Sequence, residues 1–156
     1  SDRYRKVALE MSDKWIRMSE DGDHYRLTFD KQGTWSQKYN LIWNKIMNMG
    51  IFPDSIIDRE LRYYRTQQNR YGLPLDNRAT YTKTDWIIWT ASLSSDTTTF
   101  REFVKPLYRF MNETEDRIPM SDWIFTDKPH HKGFRARSVV GGYFIKMLDG
   151  KLNRHP

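Results

Sequence analysis

The segment from Trp86 to Leu93 constrains the fold more than any other part of this sequence. It reads Trp-Ile-Ile-Trp-Thr-Ala-Ser-Leu, which is apolar around almost its whole circumference if the segment is a helix. A helix of this kind has no face that suits water, so other elements must enclose it. The chain must therefore supply several further elements that surround this one.

Apolar residues recur at steps of three and four along most of the remaining chain, which predicts further amphipathic helices. With the apolar segment, six helices are expected. Their predicted limits are Asp2 to the turn at Glu20, Thr34 to Gly50, Asp54 to Gly72, Asp85 to Ser94, Thr99 to Met111, and Ser138 to Gly150. Thr99 and Glu102 match a capping box for the fifth helix.

The six helices alternate between two kinds. The first, third and fifth are amphipathic with charged outer faces, whereas the fourth, and to a lesser degree the second and sixth, are more apolar. This alternation is typical of stacked antiparallel helical hairpins, in which an outer layer meets solvent and encloses an inner one. We therefore expect an all-α fold. The alternating segment from His24 to Phe29 could form a strand, but it has no identifiable partner.

Three polar, glycine-marked loops lead into the second, fourth and sixth helices, at residues 30–35, 73–86 and 119–137. In an up-and-down array every second helix starts at the same end, so these loops should gather at one end. The loops at the opposite end, residues 50–53 and 94–96, are short. We therefore predict a working face at the first end and a structural end at the other.

Composition limits the classes of function. The chain has 156 residues, enough for one domain, and its net charge of +6 comes from basic residues interspersed with acids. That distribution does not predict a nucleic-acid partner. The absence of cysteine excludes thiolate chemistry, and no apolar run approaches the ~20 residues of a membrane span. The adjacent His130 and His131 make a poor metal pair, so neither a metal nor another cofactor is expected.

Four groups of motifs resemble one known family. They are Trp35-Ser-Gln-Lys-Tyr-Asn40, Tyr71-Gly-Leu-Pro-Leu-Asp76 with Tyr81-Thr-Lys-Thr-Asp-Trp86, Arg117-Ile-Pro-Met-Ser-Asp-Trp123, and Gly133-Phe-Arg-Ala-Arg-Ser-Val-Val-Gly-Gly142. Together, and in this order, they look like the C-terminal part of the glutaminase A family of fungi and bacteria. Several motifs in sequence are far more specific than one alone.

The resemblance implies a six-helical-hairpin domain, similar to the (α/α) toroids of several glycosidases. It also implies glutamine deamidation and a secreted or periplasmic protein. Six helices make three hairpins, so residues 1–156 are expected to form a single domain that is the C-terminal half of such a toroid. The expected partners are then a small amide substrate, or a sugar, and either the N-terminal half of the protein or a second copy.

Hydrolysis of a side-chain amide needs an activated water or a nucleophile, a proton donor for the leaving ammonia, and donors for the oxyanion. On the predicted working face the catalytic candidates are Asp76, Asp85, Asp122 and Lys83. Asp76 is the first choice because Leu73 and Leu75 indicate a packed wall, where the carboxylate pKa would rise. Each acid also has a structural interpretation: Asp76 and Asp122 could hold turns, and Thr84 or Asp85 could cap the fourth helix.

The substrate-binding candidates are cations that could pair with an α-carboxylate and aromatic residues that could line a cleft. They are Trp35, Tyr39, Arg78, Tyr81, Trp86, Trp123 and Arg137. Gly141 and Gly142 could bind an anion or allow two helices to approach closely.

Two other functions fit the same architecture. One is a glycoside hydrolase or carbohydrate-binding domain, with Trp35, Trp86 and Trp123 as sugar platforms and two carboxylates from different loops in an open groove. The other is a non-catalytic helical module whose edges pack on another chain. An amide hydrolase would instead combine a small closed pocket with an Asp and an Arg clamp.

Overall fold

The computed structural model of the protein describes residues 2–153. The α-helices within this range are α1 (Asp2–Ser19), α2 (Ile42–Ile46), α3 (Asp54–Gln67), α4 (Thr84–Leu93), α5 (Thr97–Glu113) and α6 (Ile145–Leu152). Short 3₁₀ segments, Tyr39–Leu41 and Ser138–Phe144, run directly into α2 and α6. The predicted all-α fold is confirmed only in part: the fold is mostly helical, but residues 2–153 also contain four short β-strands. None of the helices in residues 2–153 is long and apolar enough to cross a membrane.

Helix α4 lies at the centre of the molecule, as its apolar circumference predicts. It packs against α2, α5, α6 and both 3₁₀ segments. Its residues Ile87 and Ala91 are completely buried, and Ile88 and Leu93 are nearly so. The largest buried rings around it, Phe103 and Phe110, come from α5. Burial of an apolar helix on all sides is the arrangement that removes most of its surface from water.

The predicted second helix is shorter than its periodicity indicates. Ser36 forms a β-bridge with Asp76, and the Gln37 backbone N–H donates to the Leu75 carbonyl at 2.8 Å. This pairing holds Ser36 and Gln37 against the segment at Leu75 and Asp76, so helical backbone begins only at Tyr39. A tertiary contact therefore overrides the helical spacing.

Two helix ends also differ from prediction. Asp96, rather than Thr99, caps α5: its Oδ2 accepts from the Thr99 backbone N–H at 2.7 Å, and the helix starts at Thr97. An Asp side chain is as good an N-cap as Thr, and it lies one helical turn earlier. At the other end of the chain, α6 continues through Gly150 to Leu152.

Much of the apolar surface of the first and last helices faces solvent. On α1, Val7 and Met11 are 47% and 61% exposed, although their spacing predicted an inward face. Phe144, at the start of α6, and Met147 within it are 65% and 69% exposed. The two edges of the helical array are therefore less covered than its centre.

Two antiparallel two-stranded sheets connect the loops. Strand β1 (Glu20–Asp21) pairs with β2 (His24–Tyr25), which supplies the partner that the His24 segment lacked in the sequence. Strand β3 (Tyr81–Lys83) pairs with β4 (Trp123–Phe125), with Tyr81 opposite Phe125. The sequence did not predict this second sheet. Its hydrogen bonds connect the loop before α4 to the long loop that follows α5.

The three loops that lead into the second, fourth and sixth predicted helices do converge. The Asn77 backbone N–H donates to the Trp35 carbonyl at 3.2 Å, which joins the first loop to the second. The Thr84 N–H donates to the Asp122 carbonyl at 2.7 Å, which joins the second to the third. The predicted gathering of these loops at one end of α4 is confirmed.

The buried side chain of Gln37 connects several of these segments. Its amide nitrogen donates to the carbonyls of Leu73 and Pro74 and to the Thr82 hydroxyl, at 2.9 to 3.1 Å. Its amide oxygen accepts from the Thr90 hydroxyl on α4 at 3.0 Å. Buried polar groups are costly unless they have hydrogen-bond partners. The Gln37 amide is a hydrogen-bond partner for four such groups.

We predict that Gln37→Leu lowers the free energy of unfolding by about 3 kcal/mol, because a side chain of similar size leaves those four polar groups buried without partners. Chemical denaturation of the purified chain measures the effect. The matched control is Gln32→Leu, at an exposed position in the loop before Trp35, which should change stability by less than about 0.5 kcal/mol. Equal stabilities for the two variants would contradict the role assigned to Gln37.

Candidate active site

The structure brings two of the predicted acids together at the N-terminal end of α4. Lys83 is the N-cap residue of α4, and Asp85 lies in its first turn. Asp122 directly precedes β4, and the bond from the Thr84 N–H to its carbonyl aligns the two segments. The pairing of β3 with β4 therefore positions carboxylates from two loops beside each other.

Asp122 is a buried acid that two cations contact. It is 1% exposed, and its Oδ2 accepts a 3.0 Å hydrogen bond from the Lys83 ammonium group. A guanidinium nitrogen of Arg137 lies 3.6 Å from the same oxygen. The other oxygen, Oδ1, is buried and has no protein partner. With Oδ2 in contact with both cations, Oδ1 is the oxygen of Asp122 that is free to accept a further hydrogen bond.

Asp85 is in a different electrostatic state. It is 4% exposed, and its Oδ1 is also buried without a protein partner. Burial, and then the neighbouring charge of Asp122, raise the pKa of Asp85 to about 6. Because Lys83 is the N-cap of α4, the interpretation of Thr84 or Asp85 as its cap is wrong. Two nearby acids whose environments separate their pKa values are typical of acid–base sites.

Tyr143 is a member of this cluster that sequence reasoning placed only in the core. Its hydroxyl donates to the Thr84 hydroxyl at 2.5 Å, and burial raises its pKa to about 12. The neighbouring Gly142 lets the segment that carries Tyr143 lie close to α4. A Cβ at Gly142 would lie 2.8 Å from the Trp89 indole nitrogen and 3.1 Å from the Asp85 Cβ. Of the two roles considered for the glycine pair, the structure supports close packing at Gly142, whereas a Cβ at Gly141 would have no neighbour within 4 Å.

Aromatic rings form one wall of the cluster. Trp123 stacks on Phe134, with ring centroids 5.3 Å apart, and Tyr81 meets Trp123 edge to face at 5.6 Å. The Lys83 ammonium nitrogen lies 4.3 Å from the Trp123 centroid, a cation–π distance. Ser121 supports this wall because its hydroxyl donates to the Phe134 carbonyl. Phe134 itself was not among the predicted site residues.

Asp76, the first choice from the sequence, lies outside this cluster in a tight turn. Both of its oxygens accept from the Arg78 guanidinium, at 3.0 and 2.7 Å, and one also accepts from the Arg78 N–H. Burial alone would raise the pKa of Asp76, but these bonds outweigh burial and hold the pKa below its ordinary value. The predicted rise in the pKa of Asp76 is therefore wrong, because the prediction considered its apolar neighbours and not the ion pair with Arg78.

The other aromatic candidates, Trp35, Tyr39 and Trp86, lie in two different environments. Trp35 is 5% exposed and packs on Tyr63 and Tyr64 within the core, where it offers no face to a ligand. Tyr39 and Trp86 are half-buried and stack nearly parallel, with ring centroids 4.1 Å apart. This pair adjoins the acidic cluster because Trp86 directly follows Asp85.

A large cavity lies at the opposite end of α4. It measures about 870 Å³ and is lined by residues near Ile51 and Ser94, including Asp54, Asp58 and Asp96. These three acids are exposed, and Asp96 serves as the cap of α5. We assign the functional site to the other end because buried, unpaired carboxylate oxygens and a perturbed acid mark reactive sites better than cavity size does.

The two adjacent histidines contact a single acid. The Nδ1 atoms of His130 and His131 lie 3.3 and 3.1 Å from the two oxygens of Asp116. Hydrogen bonds, first from the His131 backbone N–H, lower the pKa of Asp116 to about 2 despite the opposing effect of burial. Within residues 2–153 no three His, Asp or Glu side chains form a metal-binding group.

Comparison with known proteins identifies the family. Residues 1–147 match the model of the glutaminase A six helical-hairpin domain. The chain belongs to this family. A probable glutaminase from Arthroderma benhamiae is 26% identical over 98% of the chain, and glutaminase A from Aspergillus oryzae is 30% identical over 95%.

The chain spans 23% and 22% of the lengths of these two glutaminase relatives. No solved structure matches the chain significantly. The family membership therefore rests on the sequence match across nearly the whole chain.

We predict that Asp85→Asn makes this glutaminase-family chain more stable at pH 7.5 than the wild type. A pKa raised from 3.8 to about 6 means that the native state loses stability as the pH rises from about 4 to 6 and carries the full cost above 6. That cost is about 3 kcal/mol, and an uncharged Asn removes most of it.

Denaturant unfolding of both proteins at pH 4 and pH 7.5 tests this. The advantage of Asp85→Asn should shrink towards zero at pH 4, where the wild-type acid is also neutral. Asp127→Asn, at an exposed position, is the control and should not show this change with pH. A variant that is less stable than the wild type at pH 7.5 would contradict the electrostatic account of Asp85.

Proposed function

We propose that this site hydrolyses the side-chain amide of glutamine. The observation that carries the proposal is the pair of buried acids, Asp85 and Asp122, each with one unpartnered oxygen; Asp122 contacts Lys83, and the pKa of Asp85 is raised to about 6. Amide hydrolysis needs one group that takes a proton from water and one that gives a proton to the leaving nitrogen. The names of both relatives support glutamine as the substrate.

In the proposed reaction, Asp122 Oδ1 accepts a proton from a water molecule, whose oxygen then attacks the side-chain carbonyl carbon. The Lys83 ammonium has three donors and uses one on Asp122, so it can also stabilise the developing oxyanion. Protonated Asp85 gives its proton to the amide nitrogen, the carbon–nitrogen bond breaks, and ammonia leaves. Glutamate is the other product, and proton exchange with solvent restores both acids.

Arg137 is suited to bind the α-carboxylate of the substrate. Its guanidinium lies at the edge of the cluster, 3.6 Å from Asp122 Oδ2, and its side chain is 38% exposed. A guanidinium has five donors in a planar fork, so it can contact Asp122 and still present donors to a ligand. A cation and an anion side by side match the zwitterionic head of a free amino acid.

We predict that Asp85→Asn and Asp122→Asn each lower kcat/KM for glutamine by about 10²- to 10⁴-fold, because each removes one proton-transfer group. Ammonia release from glutamine by the protein expressed from its full reading frame measures the loss. Asp127→Asn is the matched control and should retain activity, because this exposed acid lies outside the cluster.

The pH profile of the same assay distinguishes the roles. If Asp85 is the proton donor, kcat/KM falls as the pH rises through about 6, where Asp85 loses its proton. Activity that instead rises through pH 6 would make Asp85 the base. Full activity in both Asn variants would contradict the proposed site, and an inactive wild type would contradict the proposed substrate.

One observation favours a second candidate, a glycoside hydrolase. The two acids come from different segments, and Lys83, which contacts Asp122, lies 4.3 Å from the centroid of the Trp123 ring, so an aromatic ring adjoins the cluster as that class requires. Buried Trp35 is unsuited to the sugar-platform role that this alternative gave it. Release of reducing sugar from glycosides, with no ammonia from glutamine, would favour this alternative over the amide hydrolase.

We also propose that further helices of the same polypeptide cover the exposed apolar edges of this chain. Six helical hairpins require more helices than the six α-helices described here, and the relatives are several times longer than the chain. Met11 on α1 and Met147 on α6 are 61% and 69% exposed, and large apolar groups in such numbers usually mark an interface.

We predict that Met11→Glu and Met147→Glu destabilise the full reading frame product by about 1–3 kcal/mol each, because they place a charge in a packed interface. In the isolated 156-residue chain the same changes should have little effect. Thermal unfolding of both forms measures the difference, with Lys14→Glu on the exposed side of α1 as the control. Equal effects in the long and short proteins would contradict coverage by the same polypeptide.

A further inference from the structure

Two aromatic rings contact the cations of the candidate site. Strand pairing places Lys83 opposite Trp123, and the ammonium nitrogen lies 4.3 Å from the centroid of the Trp123 ring and 5.3 Å from that of Phe134. The guanidinium carbon of Arg137 lies 4.8 Å from the Phe134 centroid. These distances fall within the ~6 Å at which the face of a ring attracts a cation. Each cation that contacts Asp122 therefore also lies against a ring.

The positions of the two rings are set by their own packing. Trp123 and Phe134 stack with an interplanar angle of 25°. A Cβ at Gly133 would lie 2.8 Å from two carbons of the Trp123 ring, so the glycine lets the backbone lie against the indole. The buried Ser121 hydroxyl donates to the Phe134 carbonyl and accepts from the Trp123 N–H at 3.2 Å. The rings are therefore held in place independently of the cations.

Lys83 has two acids within the reach of its flexible four-carbon stem. It is the N-cap residue of α4, two positions before Asp85, whose buried Oδ1 has no hydrogen-bond partner in residues 2–153. The ammonium group instead donates to Asp122 at 3.0 Å. Trp123 directly follows Asp122, so its ring attracts Lys83 towards the segment that carries this acid.

We propose that Trp123 and Phe134 are positioning residues of this site: their rings keep Lys83 on Asp122 rather than on Asp85, and the Phe134 ring also holds Arg137 at the edge of the site. This inference rests on the proposed amide hydrolysis and deepens it. Asp85 then keeps the proton that the leaving nitrogen requires, and Arg137 keeps the position proposed for binding the α-carboxylate.

The other titratable groups around Asp85 do not compete with Lys83 for this role. Burial and then the Asp122 charge raise the pKa of Asp85, and Lys83 has a smaller, opposing effect. Burial raises the pKa of Tyr39 and raises the pKa of Tyr143 to about 12, so both phenols stay neutral from pH 5 to pH 8. Lys83 is the cation in this group, and its approach to within ~4–6 Å of Asp85 would favour the charged acid.

The pH profile of glutamine hydrolysis by the protein expressed from its full reading frame tests the role of Trp123. In Trp123→Leu the Lys83 ammonium group is free to approach Asp85, so the fall of kcat/KM expected near pH 6 should move about one pH unit lower. Trp123→Phe keeps a ring and should reverse most of this shift. In a Lys83→Met background, Trp123→Leu should not move the fall, because the cation on which the ring acts is absent.

Phe134→Leu is the second variant. The Phe134 ring is 55% exposed, so its removal disturbs the core little. The variant should shift the fall in the same direction as Trp123→Leu but by less, since its ring is farther from Lys83. It should also raise KM about threefold, because Arg137 loses its contact with the ring.

Phe125→Leu is the matched control. Phe125 lies two residues after Trp123 on β4, so its ring lies on the same face of the sheet. It contacts Lys128 and Lys132, whose ammonium nitrogens lie 4.1 and 5.3 Å from its centroid. Its loss should change neither the pH of the fall nor KM.

A second measurement does not depend on activity. At pH 7.5 Asp85→Asn is expected to raise the thermal unfolding midpoint, because it removes an acid that is costly to ionise. This rise should shrink by about half in a Trp123→Leu background, since a cation beside Asp85 offsets part of that cost. It should stay unchanged in a Phe125→Leu background.

The outcomes separate this inference from the proposed function. If Trp123→Leu lowers kcat/KM equally at every pH, or leaves the thermal effect of Asp85→Asn unchanged, the ring has only a structural role and the inference is overturned, while the glutaminase activity stands. If the wild type releases no ammonia from glutamine, the proposed hydrolysis fails, and the thermal midpoints alone decide whether the rings hold Lys83 on Asp122.

Discussion

The four hydrogen bonds of the Gln37 amide are the interaction on which the rest of the structure depends. They connect the extended segment before α2 to the carbonyls of Leu73 and Pro74, to β3 through Thr82, and to α4 through Thr90. These segments also contribute apolar side chains such as Leu73 and Ile87 to one core, and the bonds of Gln37 add the directional constraint that apolar packing lacks. A buried amide is specific because any other arrangement leaves donors and acceptors unpaired in a medium without water.

The candidate site follows from this framework. With β3 held in place, its pairing with β4 brings Asp122 to the first turn of α4. Lys83 then binds Asp122 and leaves Asp85 without a direct protein cation on its free oxygen. Burial, together with the neighbouring Asp122 carboxylate, then makes Asp85 hard to ionise. The asymmetry arises because one lysine lies close to one of two acids and not the other.

Elements that depend on local pattern were predictable, and those that depend on pairing over long distances were not. The apolar circumference from Trp86 to Leu93 predicts a central helix, and the structure contains one. The β3–β4 sheet escaped prediction because strands of three residues, 40 positions apart, carry almost no periodic signal. Asp76 shows why site residues are harder to predict from sequence than helices. Its apolar neighbours were visible in the sequence, but its bidentate contact with Arg78 depends on the conformation of the turn.

The sequence by itself determined the mostly helical fold, the central position of α4 and the end of the molecule at which the polar loops meet, because hydrophobic periodicity and chain direction suffice for these. The motifs also indicated the glutaminase A family, since several of them occur in order. Only the tertiary structure decided which acids share an environment, because a pKa depends on burial and on charges a few ångströms away rather than on neighbours in the chain. For the same reason it was the structure that moved the preferred acid from Asp76 to Asp85 and Asp122, and that brought Tyr143, from the far end of the chain, into contact with Thr84.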